Sequence, residues 1–258
     1  MRDPHVERIR FAIKTDDTLE LRGPPDLMCS TPDFDIRVSD HKAEFSPRAH
    51  FTDPEPVRAL AQPTIDAWEL HYALEHGRRE LHFVYDGADV VDRDPPPPGT
   101  GQMHAVGAAL EVSTAFAARV AVIRRQYPAL PGRFVATPDV IGMWDRYERA
   151  ERGGELLASA AYACLSLAQR RFGGRRALAT AVNIDLSVLD KLGELSSDVG
   201  DLTTARKFDG RSTLRAHTAS ERYWLQVTVR ALIRRVGEHD ADPNTALQPL
   251  TLAKLPQP

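Results

Sequence analysis

Arg8-Ile9-Arg10-Phe11-Ala12-Ile13-Lys14 alternates charged and apolar side chains with the two-residue period of a strand buried on one face. Thr15-Asp16-Asp17 can turn the chain and Thr18-Leu19-Glu20-Leu21-Arg22 alternates again, so the spacing predicts a hairpin. Phe34-Asp35-Ile36-Arg37-Val38 repeats the pattern, with Ser39-Asp40-His41 as the turn and Ala43-Glu44-Phe45 as the returning strand. A third hairpin is predicted from Leu81-His82-Phe83-Val84-Tyr85 to Ala88-Asp89-Val90-Val91. Asp86-Gly87 joins them, a dipeptide suited to the positive φ angles of a two-residue turn. Residues 55 to 76 carry Val57, Leu60, Ala61, Trp68 and Tyr72 at helical spacing, with Pro63 as a kink or boundary. Antiparallel strand pairs with one helix laid on them read as an α+β arrangement.

Beyond Gly101 the pattern turns helical. Residues 104 to 126 are apolar on most sides (Val106, Leu110, Phe116, Val120, Val122, Ile123), which predicts a buried helix ending at Tyr127-Pro128. Arg133 to Ala136 can make one short strand. Thr137-Pro138-Asp139 has the hydroxyl, proline and acid of a helix start, with Ile141, Trp144 and Tyr147 facing inward. Gly153-Gly154 and Gly173-Gly174 bracket another helix over 155 to 171. Thr218-Ala219-Ser220-Glu221 is a capping box opening a last helix that should end near Gly237. The expected organisation is an acidic antiparallel α+β domain over 1–94, a proline-rich linker over 95–101, a helical domain over 102–242 and an irregular tail over 243–258.

Charge is divided along the chain. Residues 1 to 100 hold 12 Lys+Arg against 20 Asp+Glu, and residues 170 to 235 hold 13 against 7, although the net charge is only -3. Such asymmetry bears on partners rather than on fold. Arginine outnumbers lysine 28 to 5, a bacterial-like bias of genome composition that carries no functional weight. At 258 residues and 42% hydrophobic content, the chain can bury its own core. Cys29 and Cys164, far apart in sequence, build neither a disulfide framework nor a cysteine zinc site, which fits a reducing cytoplasm. The first 30 residues lack the apolar core of a secretory signal. No uncharged apolar run reaches the roughly 18 residues a spanning helix needs, so no membrane association is expected.

The best functional candidate is Leu178 to Leu192, which has the pattern of a helix-turn-helix. Alanines let the helices approach, Asn183 suits the turn, Ile184 fills the corner, and Leu189 and Leu192 face inward. Arg170, Arg171, Arg175 and Arg176 precede it and Arg206, Lys207, Arg211 and Arg215 follow, as phosphate contacts would require. The expected nucleic-acid contacts are Arg175, Arg176, Ser187, Lys191, Arg206, Lys207, Arg211 and Arg215. The presumed reading positions, Asp185, Leu186, Ser187, Val188, Asp190 and Lys191, hold two acids and no arginine, a poor set for base edges.

Other constellations carry less. The last helix has a core stripe at Leu225, Val229, Leu232 and Val236. Its second side mixes Tyr223, Trp224 and Val227 with Arg230, Arg234 and Arg235, which suits a nucleic-acid strand or a buried homodimer contact. His71 and Glu75 lie one helical turn apart, with His76 alongside, but two ligands do not make a metal site. Arg211 with His217 and Arg234 with His239 have spacings that chance supplies at this composition. Asp86, Asp89, Asp92 and Asp94 match no calcium loop. Neither a phosphate-binding glycine loop nor a nucleophile elbow is present, and no cofactor is implied.

The reading that follows is a non-enzymatic, DNA-associated or regulatory protein, with duplex nucleic acid on the basic half and a protein partner on the acidic half. The alternatives are an oligomeric interaction module, homo-oligomeric in its simplest form, and an enzyme with a pocket between the halves.

Overall fold

A computed structural model of the chain describes residues 2–94, 121–200 and 213–258. The chain forms two compact units. The first comprises Met1–Gln62 and Glu80–Leu130, the second Pro63–Arg79 and Pro131–Pro258. The expected linker at 95–101 and the stretch 104–120 of the helix expected over 104–126 lie outside the described residues.

The first unit is built on a five-stranded antiparallel sheet. Its strands are β1 (Pro4–Thr15), β3 (Leu27–Ser30), β4 (Phe34–Ser39), β5 (Lys42–Pro47) and β6 (Leu81–Asp92), in the order β3-β4-β5-β1-β6. The period-two pattern selects the inner face: Ile9, Phe11, Ile13, Phe34, Ile36, Val38, Ala43, Phe45, Leu81 and Phe83 are all buried. Phe45 meets Phe11 and Phe34 edge-on, with ring centroids 5.4 and 5.5 Å apart. The β4–β5 hairpin forms where the sequence predicts it, with Asp40 and His41 at φ 49° and 58° in the turn.

The other two expected hairpins differ. The first is replaced by a parallel pairing: β2 (Leu19–Leu21) pairs with β7 (Val122–Arg124), Leu19 opposite Val122, rather than with β1. The Asp16 carboxylate takes the Thr18 amide at 2.8 Å, and Leu19 and Leu21 are buried. The expected helix end at 122–126 is therefore corrected, because Val122–Arg124 is a strand. The third hairpin is a single strand. β6 runs through Asp86-Gly87 and pairs with β1 along its length.

Tyr85 faces Phe11 and Gly87 faces Arg10, so Asp86 is an unopposed bulge residue; Glu7 is a second one, between Val6 opposite Val90 and Arg8 opposite Asp89. Gly87, at φ 117°, holds the bulge in a conformation that side chains rarely adopt. The positive φ that Asp-Gly permits thus makes a bulge instead of a turn.

The helix α1 (Pro54–His76) starts with Asp53 accepting the Glu55 amide at 3.0 Å and continues through Pro63, at which residue the second unit begins. Val57, Ala61, Trp68 and Tyr72 are buried as expected, whereas Leu60 is exposed. In the first unit, Arg58 stacks over the Tyr85 ring at 4.9 Å.

The second unit is helical. It contains residues 63–76 of α1 with α2 (Pro138–Glu151), α3 (Leu157–Phe172), α4 (Arg175–Ala181), α5 (Leu186–Ser197) and α6 (Ala219–Ala241). Its core joins Leu70 and Leu74 of α1 to Trp144, Tyr147, Leu165, Leu189, Trp224, Leu232 and Val236. Gly173 ends α3 in the left-handed conformation, as its position predicts. The Thr218 hydroxyl accepts the Glu221 amide and the Glu221 carboxylate accepts the Thr218 amide, completing the capping box of α6.

No strand forms at 133–136; the Val135 amide instead bonds to the Gly237 carbonyl at 3.1 Å. Gly237 does not end α6. It is where the Phe134 ring packs against the helix, so closely that a Cβ there would lie 2.3 Å from the ring. The tail is irregular but seated, with Leu255 buried and a short 3-10 turn over Leu252–Lys254. No helix among the described residues is long and apolar enough to cross a membrane.

Candidate functional site

The segment α4–turn–α5 has the expected corner. Leu178, Val182, Ile184, Leu189 and Leu192 are buried, and Asn183 turns the chain at φ 49°. The corner is braced by the tail: Asn183 donates to the Leu247 carbonyl at 2.6 Å, and the Leu250 amide returns to the Asn183 carbonyl at 2.9 Å. Val188, expected on the reading face, is fully buried instead. A twelve-residue helix packed at Leu189 and Leu192 turns the preceding position inward as well.

Several of the expected cations are held by the protein's own carboxylates. Arg175 donates to Asp190 at 2.8 Å and lies against Gly193, where a Cβ would come 2.8 Å from the guanidinium. Lys191 pairs with Glu194 at 2.9 Å. Arg215 grips both oxygens of Glu221, at 2.6 and 2.5 Å, and this grip with the Thr218 amide pulls the Glu221 carboxyl down to about 2. Arg176 and Ser187 are exposed, and Arg176 has no carboxylate partner among the described residues. Arg206, Lys207 and Arg211 lie outside the described residues. The outer surface of α5 is therefore Leu186, Ser187, Asp190 and Glu194.

The acids of the first unit are similarly engaged. On the solvent face of the sheet, Arg8 reaches Asp89 at 3.3 Å and Glu44 at 3.4 Å, Arg10 shares Asp89, and Arg48 meets Asp35 at 2.8 Å. Lys42 holds Asp86 at 3.2 Å, and Arg37 holds Asp26 at 2.9 Å. The Asp92 carboxylate takes the amides of Arg2 and Asp3, which lowers its pKa.

Two grooves flank α6 within the helical unit. One, of about 330 Å³, is lined by Glu151, Leu157, Arg222, Tyr223 and Gln226. Tyr223 is 55% exposed there, and Leu156 beside Leu157 is 46% exposed. Gln226 donates to Glu151 at 2.9 Å. Trp224, expected on the same side as Tyr223, is fully buried in the core.

The other groove, of about 250 Å³, is lined by Leu74, Glu75, Val227, Arg230 and Arg234. It brings His71 and Glu75 of α1 near the arginines of α6, a juxtaposition that separate readings of the two helices missed and that no local pattern signals. His71 is 3.9 Å from Glu75, and burial, with Arg234 acting in the same direction, lowers its pKa while Glu75 opposes. Arg230 points at the Leu74 and Glu75 carbonyls at 3.4 and 3.5 Å, so its charge meets the negative end of α1. No group of three metal-ligating side chains occurs among the described residues.

No family model, curated protein or solved structure matches this chain.

Proposed function

We propose that the chain is an interaction protein that self-assembles through its helical unit, at the groove beside the first half of α6. The observation that carries this reading is the exposure of Tyr223 at 55%, on a helix whose neighbouring Trp224 and Leu225 are buried. Tyrosine and arginine dominate the energetics of protein interfaces, and here Tyr223 and Arg222 line a groove with Leu157, next to the exposed Leu156. The internal pairing of Arg175, Lys191 and Arg215 favours it further, since those charges already have partners. A cytoplasmic setting belongs to the same reading: Cys29 and Cys164 are free thiols, which a reducing compartment preserves.

Sedimentation velocity over about 1 to 100 μM, the range in which weak self-association shows, tests this. The expected result is a concentration-dependent oligomer that Tyr223→Ser returns to monomer. A chain that stays monomeric throughout, or an oligomer indifferent to Tyr223→Ser, overturns it.

One feature favours the nucleic-acid reading as a second proposal. α4 and α5 meet at the buried corner that the sequence pattern predicts, and the exposed Arg176 stands beside it without a carboxylate partner among the described residues. Binding would then be dominated by phosphates, falling steeply with salt and varying little with sequence. Replacing Arg176 by Ala should flatten the salt slope by about one unit. Affinity no tighter than about millimolar at low salt, weaker than ordinary non-specific binding, ends this reading.

A further inference from the structure

His5, in β1, and His50, in the segment leading to α1, face each other with their Nδ1 atoms 3.0 Å apart. Their ring planes differ by 11° and their centroids are 5.0 Å apart. That separation is close to the nitrogen–nitrogen distance plus the two ring radii, so the rings meet edge to edge along a hydrogen bond rather than face to face. A metal bridging two such opposed lone pairs would force the nitrogens apart, so the geometry fits a proton and not an ion. Two nitrogens at this distance need one donor and one acceptor. The pair therefore holds one proton between them, and a second leaves two donors in contact.

The surroundings make the second proton costly. His5 is only 8% exposed. Burial, then Arg93 and the His50 ring, lower its pKa, with Asp3 and Glu7 opposing. Asp3 also lies 3.6 Å from His50 Nε2 on the far side of the ring. From β6, Asp92 faces the same corner through the Arg2 and Asp3 amides; its lowered pKa keeps it ionised while the histidines titrate. Next to the pair, the Val6 amide donates to the Phe51 carbonyl at 2.8 Å, a backbone bond between β1 and the segment before α1.

We propose that His5 and His50 form a proton-operated latch, which fastens the segment before α1 to β1 while it holds one shared proton and releases it on taking a second. Between the two protonation steps the open form binds one more proton than the closed form. Opening should then rise about tenfold for each pH unit of acidification below the ordinary histidine range, levelling off below the second step.

Hydrogen exchange at the Val6 amide of the full chain, corrected for intrinsic rate, reads this opening, with the Phe45 amide of β5, paired on both sides in the same sheet, as the reference for unfolding of the unit. Wild type should lose about tenfold protection at Val6 per pH unit below about 6.5, while Phe45 holds. His50→Asn replaces an exposed ring by a neutral side chain and should abolish the slope. Ring nitrogen shifts in wild type should show one bare and one protonated Nδ1 at neutral pH and two coupled titration steps. PH-independent protection at Val6, an unchanged slope in His50→Asn, or two rings titrating independently at ordinary values overturns the latch.

Discussion

Glu221 shows how much one side chain can hold: it completes the capping box on Thr218 and is gripped by both terminal nitrogens of Arg215. Its folded pKa of about 2 lies below the ordinary 4.5, so the unfolded chain binds the extra proton between these values. The associated stability is fully present above pH 4.5 and is lost as pH falls toward 2. Acid unfolding of wild type against Arg215→Met should differ in slope within that window and converge below it. The difference should be a fraction of the roughly 1.4 kcal/mol per pH unit that one whole proton gives, because Arg215 is 44% exposed and screened. Thr218→Ala should lower stability by about 1 kcal/mol in thermal unfolding at neutral pH. The capping box was legible in sequence because its bonds close within four residues. The Arg215 clamp was not, since nothing in the spacing distinguishes a paired arginine from a phosphate ligand; the pairings of Arg175 with Asp190 and of Lys191 with Glu194 were illegible for the same reason.

At the scale of elements, Gly237 reverses an ordinary expectation. Alanine is the better helix former by about 1 kcal/mol, and α6 runs on past this position to Ala241. The Phe134 ring occupies the space a Cβ would need, and Phe134 is itself buried. Gly237→Ala should therefore destabilise by about 1 to 3 kcal/mol, as overpacked cores do, and Phe134→Leu should recover part of the loss in a double-mutant cycle. A Tm at or above wild type for Gly237→Ala would remove the close-packing argument. Period-two alternation missed β3 and β7 but located β1, β2, β4, β5 and the two halves of β6, because side-chain alternation is a local property. It did not give their pairing. Asp86-Gly87 permits a turn and a bulge equally, and only the pairing of β6 with β1 on both sides of the bulge decides between them. The partner of β2 at Val122–Arg124 lies a hundred residues away, where nearest-neighbour reasoning does not look.

For the molecule as a whole, part of the charge divided along the sequence is paired locally among the described residues: cross-strand ion pairs take up acids of the sheet, and carboxylates of the helical unit take up Arg175 and Lys191. The proline segment was the visible landmark, yet the helical unit draws on residues 63–79 as well as on 131–258. Ala67, Leu70, Ala73 and Leu74 belong to its core. A fragment beginning at residue 131 should therefore fail to unfold cooperatively by circular dichroism and calorimetry, whereas the full chain should show a sharp helical transition. A stable, cooperative 131–258 fragment would show that residues 67–74 add nothing essential.

This shared helix also sets an order of events on the ribosome. The apolar flank of α1 at Leu70 and Leu74 is translated before α2 to α5, while Trp224, Leu232 and Val236 of the same core are translated only with α6. At about 5 to 20 residues per second, that flank waits on the order of ten seconds for its partners. A nascent chain of this protein thus carries a partly uncovered hydrophobic helix face from the synthesis of α1 until that of α6, the kind of surface that chaperones engage.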